Sequence, residues 1–163
     1  MAFITDILAF GAHPDDVEIS ASGTILKYIS EGKTVSIVDL TQGELGTRGS
    51  IQTRAKESTE ASKLLGINKR VNLKLKDGFI NSSEASIQSV IEQIRRFKPE
   101  IVLANAINDR HPDHGKAAKL VSDACYLSGL RKIKSQWEGS EQDVHRPRLV
   151  LHYIQDYYIK PDF

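Results

Sequence analysis

The chain has 163 residues, 40% of them hydrophobic, which suits one domain built around one core. Its 22 Lys and Arg balance 21 Asp and Glu for a net charge of +1, with no basic block, so the footprint of a nucleic-acid binder is excluded. Cys125 is the only cysteine, no secretory leader opens the chain, and no apolar run approaches the roughly 20 residues of a membrane span; the expectation is a cytoplasmic protein without disulfides or a membrane partner.

Asp6 to Ala12 reads as a buried strand, short and almost continuously apolar. From Asp16 to Ser30, Val17, Ile19, Ile25, Leu26 and Ile29 recur at helical spacing, and Gly32 closes the run. Thr34 to Leu40 is a second strand. Gln42 to Ser50, with Gly43, Gly46 and Gly49, is a loop. Arg54 to Leu65 has a helical pattern that stops at Gly66, and Val71 to Leu75 alternates as a third strand. Glu84 to Phe97 is a helix with Ile87, Val90, Ile91 and Ile94 on one face, and Pro99 ends it. Ile101 to Ala104 is the fourth strand, His114 to Leu127 the fourth helix, and Leu149 to Ile154 the fifth strand.

Strand alternating with helix means βαβ units, and right-handed crossovers then give an α/β fold with a doubly wound, mostly parallel, Rossmann-like sheet. No helical pattern follows the fifth strand. Residues 1–163 are therefore expected to form a single domain that lacks a C-terminal part. Ligands of such sheets bind outside the carboxyl ends of strands, at a switch point in strand order. The first and fourth strands lead there if they are neighbours.

Both strands end in unusual loops. Ala12-His13-Pro14-Asp15-Asp16-Val17-Glu18 follows the first, and His111-Pro112-Asp113-His114 follows the fourth. Imidazole and carboxylate suit a zinc-type ion, and hydrolytic zinc commonly takes three protein ligands. His13 and Asp16, three apart on one turn, reach a common ion, and His114 is the natural third ligand. Asp15 is then free to take a proton from water, whose pKa falls to about 7 on such an ion in favourable sites. His111, as imidazolium, stabilises an oxyanion or protonates a leaving amine, and Asp113 hydrogen-bonds one of the histidines. Blander readings exist. Asp15 and Glu18 can form a capping box, and His-Pro-Asp-His can be a polar helix entry. His145, His152 and Cys125 are read as structural.

At these residues the sequence resembles the PIG-L/LmbE-like zinc deacetylases, which remove an N-acetyl group from N-acetylglucosamine conjugates. The family pattern is a strand, Ala-His-Pro-Asp-Asp, and a distant His-Pro-Asp-His, here residues 12–16 and 111–114. The resemblance implies a metal site of His13, Asp16 and His114, Asp15 as general base, His111 as stabiliser of the tetrahedral intermediate, and Asp113 as the partner of His111. The loop from Asp39 to Gly49, with Arg54 and Glu57, looks like the bacillithiol branch, whose substrate is N-acetylglucosaminyl malate. By the same resemblance Arg54 and Asp77 bind the small-molecule sugar conjugate, the cofactor is zinc or another divalent transition metal, a homo-oligomer is implied, and family members run some tens of residues further. Two alternatives stay open: the same chemistry on another conjugate such as a chitobiose-like sugar, and a non-catalytic sugar- or nucleotide-binding module. The second has little support, since Gly11-Ala12-His13-Pro14 is not the Gly-x-Gly-x-x-Gly turn that admits a pyrophosphate.

Overall fold

A computed structural model describes residues 4–162. Strand β1 (Ile7–Gly11) is buried throughout, as its unbroken apolar run requires of a strand covered on both faces. The chain passes through α1 (Asp16–Ser30) to β2 (Val35–Thr41), then through α2 (Ile51–Leu65) to the edge strand β3 (Lys69–Leu75). It returns through α3 (Glu84–Phe97) to β4 (Ile101–Ala104) on the other side of β1. Helix α4 (Pro112–Leu127) then leads through a small hairpin, β5 (Gln136–Trp137) and β6 (Ser140–Glu141), to β7 (Leu149–His152). Five parallel strands form one sheet in the order β3-β2-β1-β4-β7, with β1 at the centre. The strand order reverses between β1 and β4, so the switch point lies at their carboxyl ends.

Side chains alternate across the sheet. Leu8 and Phe10 of β1 pack with Val90, Ile94 and Phe97 of α3 and with Leu120 and Val121 of α4. Ile7 and Ala9 face the other way, against Val17, Ala21 and Ile25 of α1. These two apolar layers are the core. Helix α2 is held differently, with Ser58 its only buried residue among those described. Beneath it Arg70 of β3 is fixed by Asp39 at 2.7 and 2.8 Å and by Glu18.

Several boundaries differ from expectation. Helix α2 starts at Ile51, three residues early, because the Ser50 side chain accepts the Thr53 N–H as its cap. Helix α4 starts at Pro112, where a missing N–H costs nothing. The fifth strand of the sheet stops at His152. The hairpin of β5 and β6 was not expected; Glu138 and Gly139 turn it with positive φ. Among the described residues, no helix is long and apolar enough to cross a membrane.

Candidate metal and catalytic site

Both histidine clusters open onto the crevice between β1 and β4. The chain leaves β1 through Gly11, where an added Cβ would stand 2.9 Å from the carbonyl oxygen of His13. That close approach folds residues 12–16 into a tight turn, with the Asp15 N–H donating to the His13 carbonyl at 2.9 Å. Asp15 occupies the cap position of α1 but makes no capping bond. Its half-exposed carboxylate lies 3.5 Å from the Arg54 guanidinium. The capping-box reading is thereby set aside, since Glu18 is taken up by Arg70 instead.

Asp16 is the hub of the cluster. Its Oδ2 accepts the His13 backbone N–H at 2.9 Å and lies 3.6 Å from His13 Nδ1. Its Oδ1 lies 3.2 Å from His114 Nε2. Each of these two imidazoles has its other nitrogen on a carboxylate, His13 Nε2 on Asp77 and His114 Nδ1 on Asp109, both at 3.0 Å. Ligand atoms of His13, His111 and His114 come within 4.8 Å of one another. Outer nitrogens held by carboxylates are what metal-ligating histidines show, because the bond fixes the tautomer and raises ligand basicity. Two imidazoles and one carboxylate, all buried, fit a divalent transition ion by donor type.

The cluster is strongly coupled. Burial alone would lower the pKa of His13, but Asp16, Asp77 and Asp113 outweigh it and hold the metal-free imidazole at about 9. His114 is raised in the same way by Asp16 and Asp109, against the effect of its burial. Burial works against the Asp16 carboxylate, yet bonds from His114 and His13 keep it well below the ordinary range. Burial, aided by the Asp16 charge, raises Asp15, with Arg54 opposing. His111 is lowered, by burial first and then by its charged neighbours His13 and His114.

His111 caps α4. Its Nδ1 accepts the Asp113 N–H at 3.2 Å, so the polar-helix-entry reading and a place in the site hold for one residue. An N–H can only donate, so Nδ1 stays unprotonated and neutral His111 carries its proton on Nε2. This changes the imidazolium expected from the sequence into a neutral donor. Asp113 also departs from expectation. It meets His111 through its backbone N–H, while its carboxylate accepts the Gly78 N–H at 2.6 Å and lies 3.7 Å from His13. Two positions into the helix, its amide points back at the cap and its side chain points elsewhere. The resemblance made Asp77 a residue that binds the sugar conjugate; its oxygens are engaged by His13 and by the Leu45 N–H at 2.8 Å. It lines the cleft as the residue that holds His13.

The cleft has a volume of about 500 Å³ and is walled by Asp15, Arg54, Arg110, His111, Gly43 and Gly46. Arg54 lies in a slot made by glycine, where a Cβ on Gly46 would stand 2.6 Å from its Nη2. A cavity of about 530 Å³ between α2 and β3 is lined by Arg70 and Lys63 and contains no histidine. His145 and His152 bond the carbonyls of Pro99 and Asn105, and buried Cys125 has its thiol pushed up to about 12, in line with their structural reading. Three residues here were not read from the sequence. Asn105 stands one place beyond β4, where position alone could have flagged it, and Asp109 lies two residues before His111. Gln155 comes from the loop after β7 and offered no signal.

The model of the family described as PIG-L, GlcNAc-PI de-N-acetylase, matches residues 8–125. The crystal structure of the conserved protein TT1542 from Thermus thermophilus is 34% identical and superposes with a TM-score of 0.91, covering 98% of this chain and 70% of that one. Diacetylchitobiose deacetylase of Thermococcus kodakarensis is 28% identical over 98% of this chain and 62% of its own length. Probable N-acetyl-alpha-D-glucosaminyl L-malate deacetylase 2 of Bacillus anthracis is 28% identical over 72% of this chain and 58% of its own. The chain spans about three fifths of the length of the first curated relatives it matches. A match that runs from β1 through α4, over well more than half of the sequence and across both histidine loops, makes this chain a member of the PIG-L family.

Proposed function

We propose that the protein is a metal-dependent amide hydrolase that removes the N-acetyl group from an N-acetylglucosaminyl conjugate, with N-acetylglucosaminyl malate as its substrate. The observation that carries this reading is the pair of buried histidines joined through Asp16 and backed by Asp77 and Asp109, beside the half-exposed Asp15 carboxylate in an open cleft. His13, Asp16 and His114 would hold the ion. Bound there, zinc or a similar ion would supply Lewis-acid polarisation of the acetamide carbonyl and a lowered water pKa.

The remaining work falls to the chain's own groups. Asp15 accepts a proton as the water oxygen bonds to the acetyl carbon. His111 donates its Nε2–H to the oxygen that becomes negative, a role suited to a neutral imidazole fixed by the Asp113 amide. The proton on Asp15 then passes to the nitrogen as the carbon–nitrogen bond breaks, giving the free amine and acetic acid, which loses its proton to the amine or to solvent to become acetate. Arg54 and Arg110 line the cleft, facing Asp15 at 3.5 Å and Asp156 at 3.2 Å, and their remaining N–H groups are the donors available to an anionic group on the sugar. Arg54 can hold a malate carboxylate bidentately.

The test is acetate release from N-acetylglucosaminyl malate by zinc-loaded protein, with a chelated control and diacetylchitobiose in parallel. Chelation-sensitive release from the malate conjugate is expected. Release from the chitobiose sugar alone would replace malate as substrate and leave the hydrolase reading in place. Release from neither would overturn the activity proposed for this chain.

A further inference from the structure

We propose that Asn105 and Gln155 form a clamp that positions Asp16 for metal binding, a role that rests on the metal-site reading above. Asn105 is fully buried, one residue beyond β4. Its Oδ1 accepts the backbone N–H of Ala12 at 2.9 Å. That N–H can only donate, so the orientation of the Asn105 amide is settled. Its Nδ2 must then face outward, and it donates to Asp16 Oδ2 at 3.0 Å and to Gln155 Oε1 at 2.9 Å. Gln155 is oriented in turn, and its Nε2 donates to Asp16 Oδ1 at 3.0 Å. One chain of bonds thus runs from a main-chain donor through two amides to both oxygens of the carboxylate.

The clamp is anchored at its base. The carbonyl of Asn105 meets His152 Nδ1 of β7 at 2.8 Å, and His152 Nε2 meets Ser122 of α4 at 3.3 Å. Residues from the ends of β1, β4 and β7 therefore converge on one side chain. With the His13 N–H, Asp16 receives three donors besides the histidine rings. They fix its rotamer and hold both oxygens in place, which a ligand of set direction needs. Both amides act through Asp16, so both are positioning residues.

The deciding variant is Gln155→Leu, because Gln155 is half-buried on a loop and its loss leaves the core intact. Three quantities are read on the full chain: zinc affinity by chelator competition, the visible spectrum of the cobalt-substituted protein, and the thermal midpoint without metal. We expect zinc affinity to fall about 10–100-fold, the usual cost of losing a group that orients a ligand, with a changed cobalt spectrum and an unchanged metal-free midpoint. Gln155→Asn, which keeps an amide, should retain more affinity than Gln155→Leu. Zinc affinity and a cobalt spectrum equal to those of the unsubstituted chain would overturn the clamp. So would a loss of affinity that follows a lowered metal-free midpoint while the cobalt spectrum stays the same. Failure of the unsubstituted chain to bind zinc is a separate result, and it overturns the metal reading itself.

Discussion

Asp15 and Asp16 are neighbours with opposite surroundings. Asp16 is buried among N–H donors and two imidazoles, whereas Asp15 is half exposed and faces Arg54. One is built to stay ionised, the other to exchange a proton. Asp15→Asn keeps shape and removes the proton acceptor, so turnover should fall about 10²–10⁴-fold while zinc affinity changes little. Steady-state kinetics and chelator competition read the two separately, and unchanged turnover would remove Asp15 as the base. His13→Ala should act the other way and abolish high-affinity zinc binding, since it deletes a donor and strands Asp77. Full zinc occupancy in that variant would take His13 out of the ligand set. Sequence spacing brought these residue types to two loops, but their wiring was not legible in it. Asp113 was legible within its motif and Asp77 only through the family resemblance, and which atom each would meet depends on loops between β2 and α2 and between β3 and α3. Those loops bring Leu45 and Gly78 to the carboxylates from 32 and 35 residues away.

At the level of elements, sequence pattern located all four helices and the five strands of the main sheet; α1, α3, α4 and the inner strands carry buried apolar residues of their own, whereas α2 buries only Ser58 among the described residues and was bounded by Gly66. Boundaries slipped where a cap, not a pattern, sets the end: Ser50 starts α2 and His111 starts α4. The docking of α2 is polar: the helix rests over Arg70, which meets Asp39 and Glu18 and reaches the Ser58 carbonyl and the Ser62 hydroxyl. Sequence periodicity carries no mark of such a polar anchor. Arg70→Met would leave two carboxylates facing each other with no cation between them. We expect a loss of about 3–5 kcal/mol in urea unfolding, the usual cost of removing one partner from a buried ion pair. A loss below about 1 kcal/mol, the worth of an exposed pair, would show that this anchor does not hold the helix. The loop before α2 has its own test. Gly46→Ala pushes a methyl into the Arg54 guanidinium, so KM for an anionic conjugate should rise with little change in stability. An unaltered KM would separate Arg54 from substrate binding.

Across the whole molecule, the parallel sheet and the site are one design. Strand order places β1 beside β4, and that adjacency, which strand–helix alternation left as a condition, brings residues 98 apart in the chain, His13 and His111, to ring centroids 4.7 Å apart. Without an ion, the carboxylates around His13 and His114 make the site a store of protons. The pKa of His13 rises to about 9 in the folded, metal-free chain against about 6.5 when unfolded, and His114 shifts in the same direction. A raised folded-state pKa stabilises the protonated native form. That contribution is complete below about pH 6.5 and is lost as pH rises through about 9. Zinc needs both imidazoles neutral, so its binding must release these protons and must strengthen over the same window. The two effects add: the metal-free chain becomes less stable with rising pH while the zinc form gains affinity. At a free zinc concentration of 100 times Kd, binding contributes about 2.7 kcal/mol, and each kcal/mol moves the midpoint of a domain of this size by about 2–4 °C. At a fixed zinc concentration, the zinc-induced rise in thermal midpoint should therefore grow between about pH 6.5 and 8.5. Calorimetry in buffers of different ionisation enthalpy should show proton release at about pH 7. A thermal shift that stays flat across that range, with no protons released, would mean that His13 and His114 do not bind the ion.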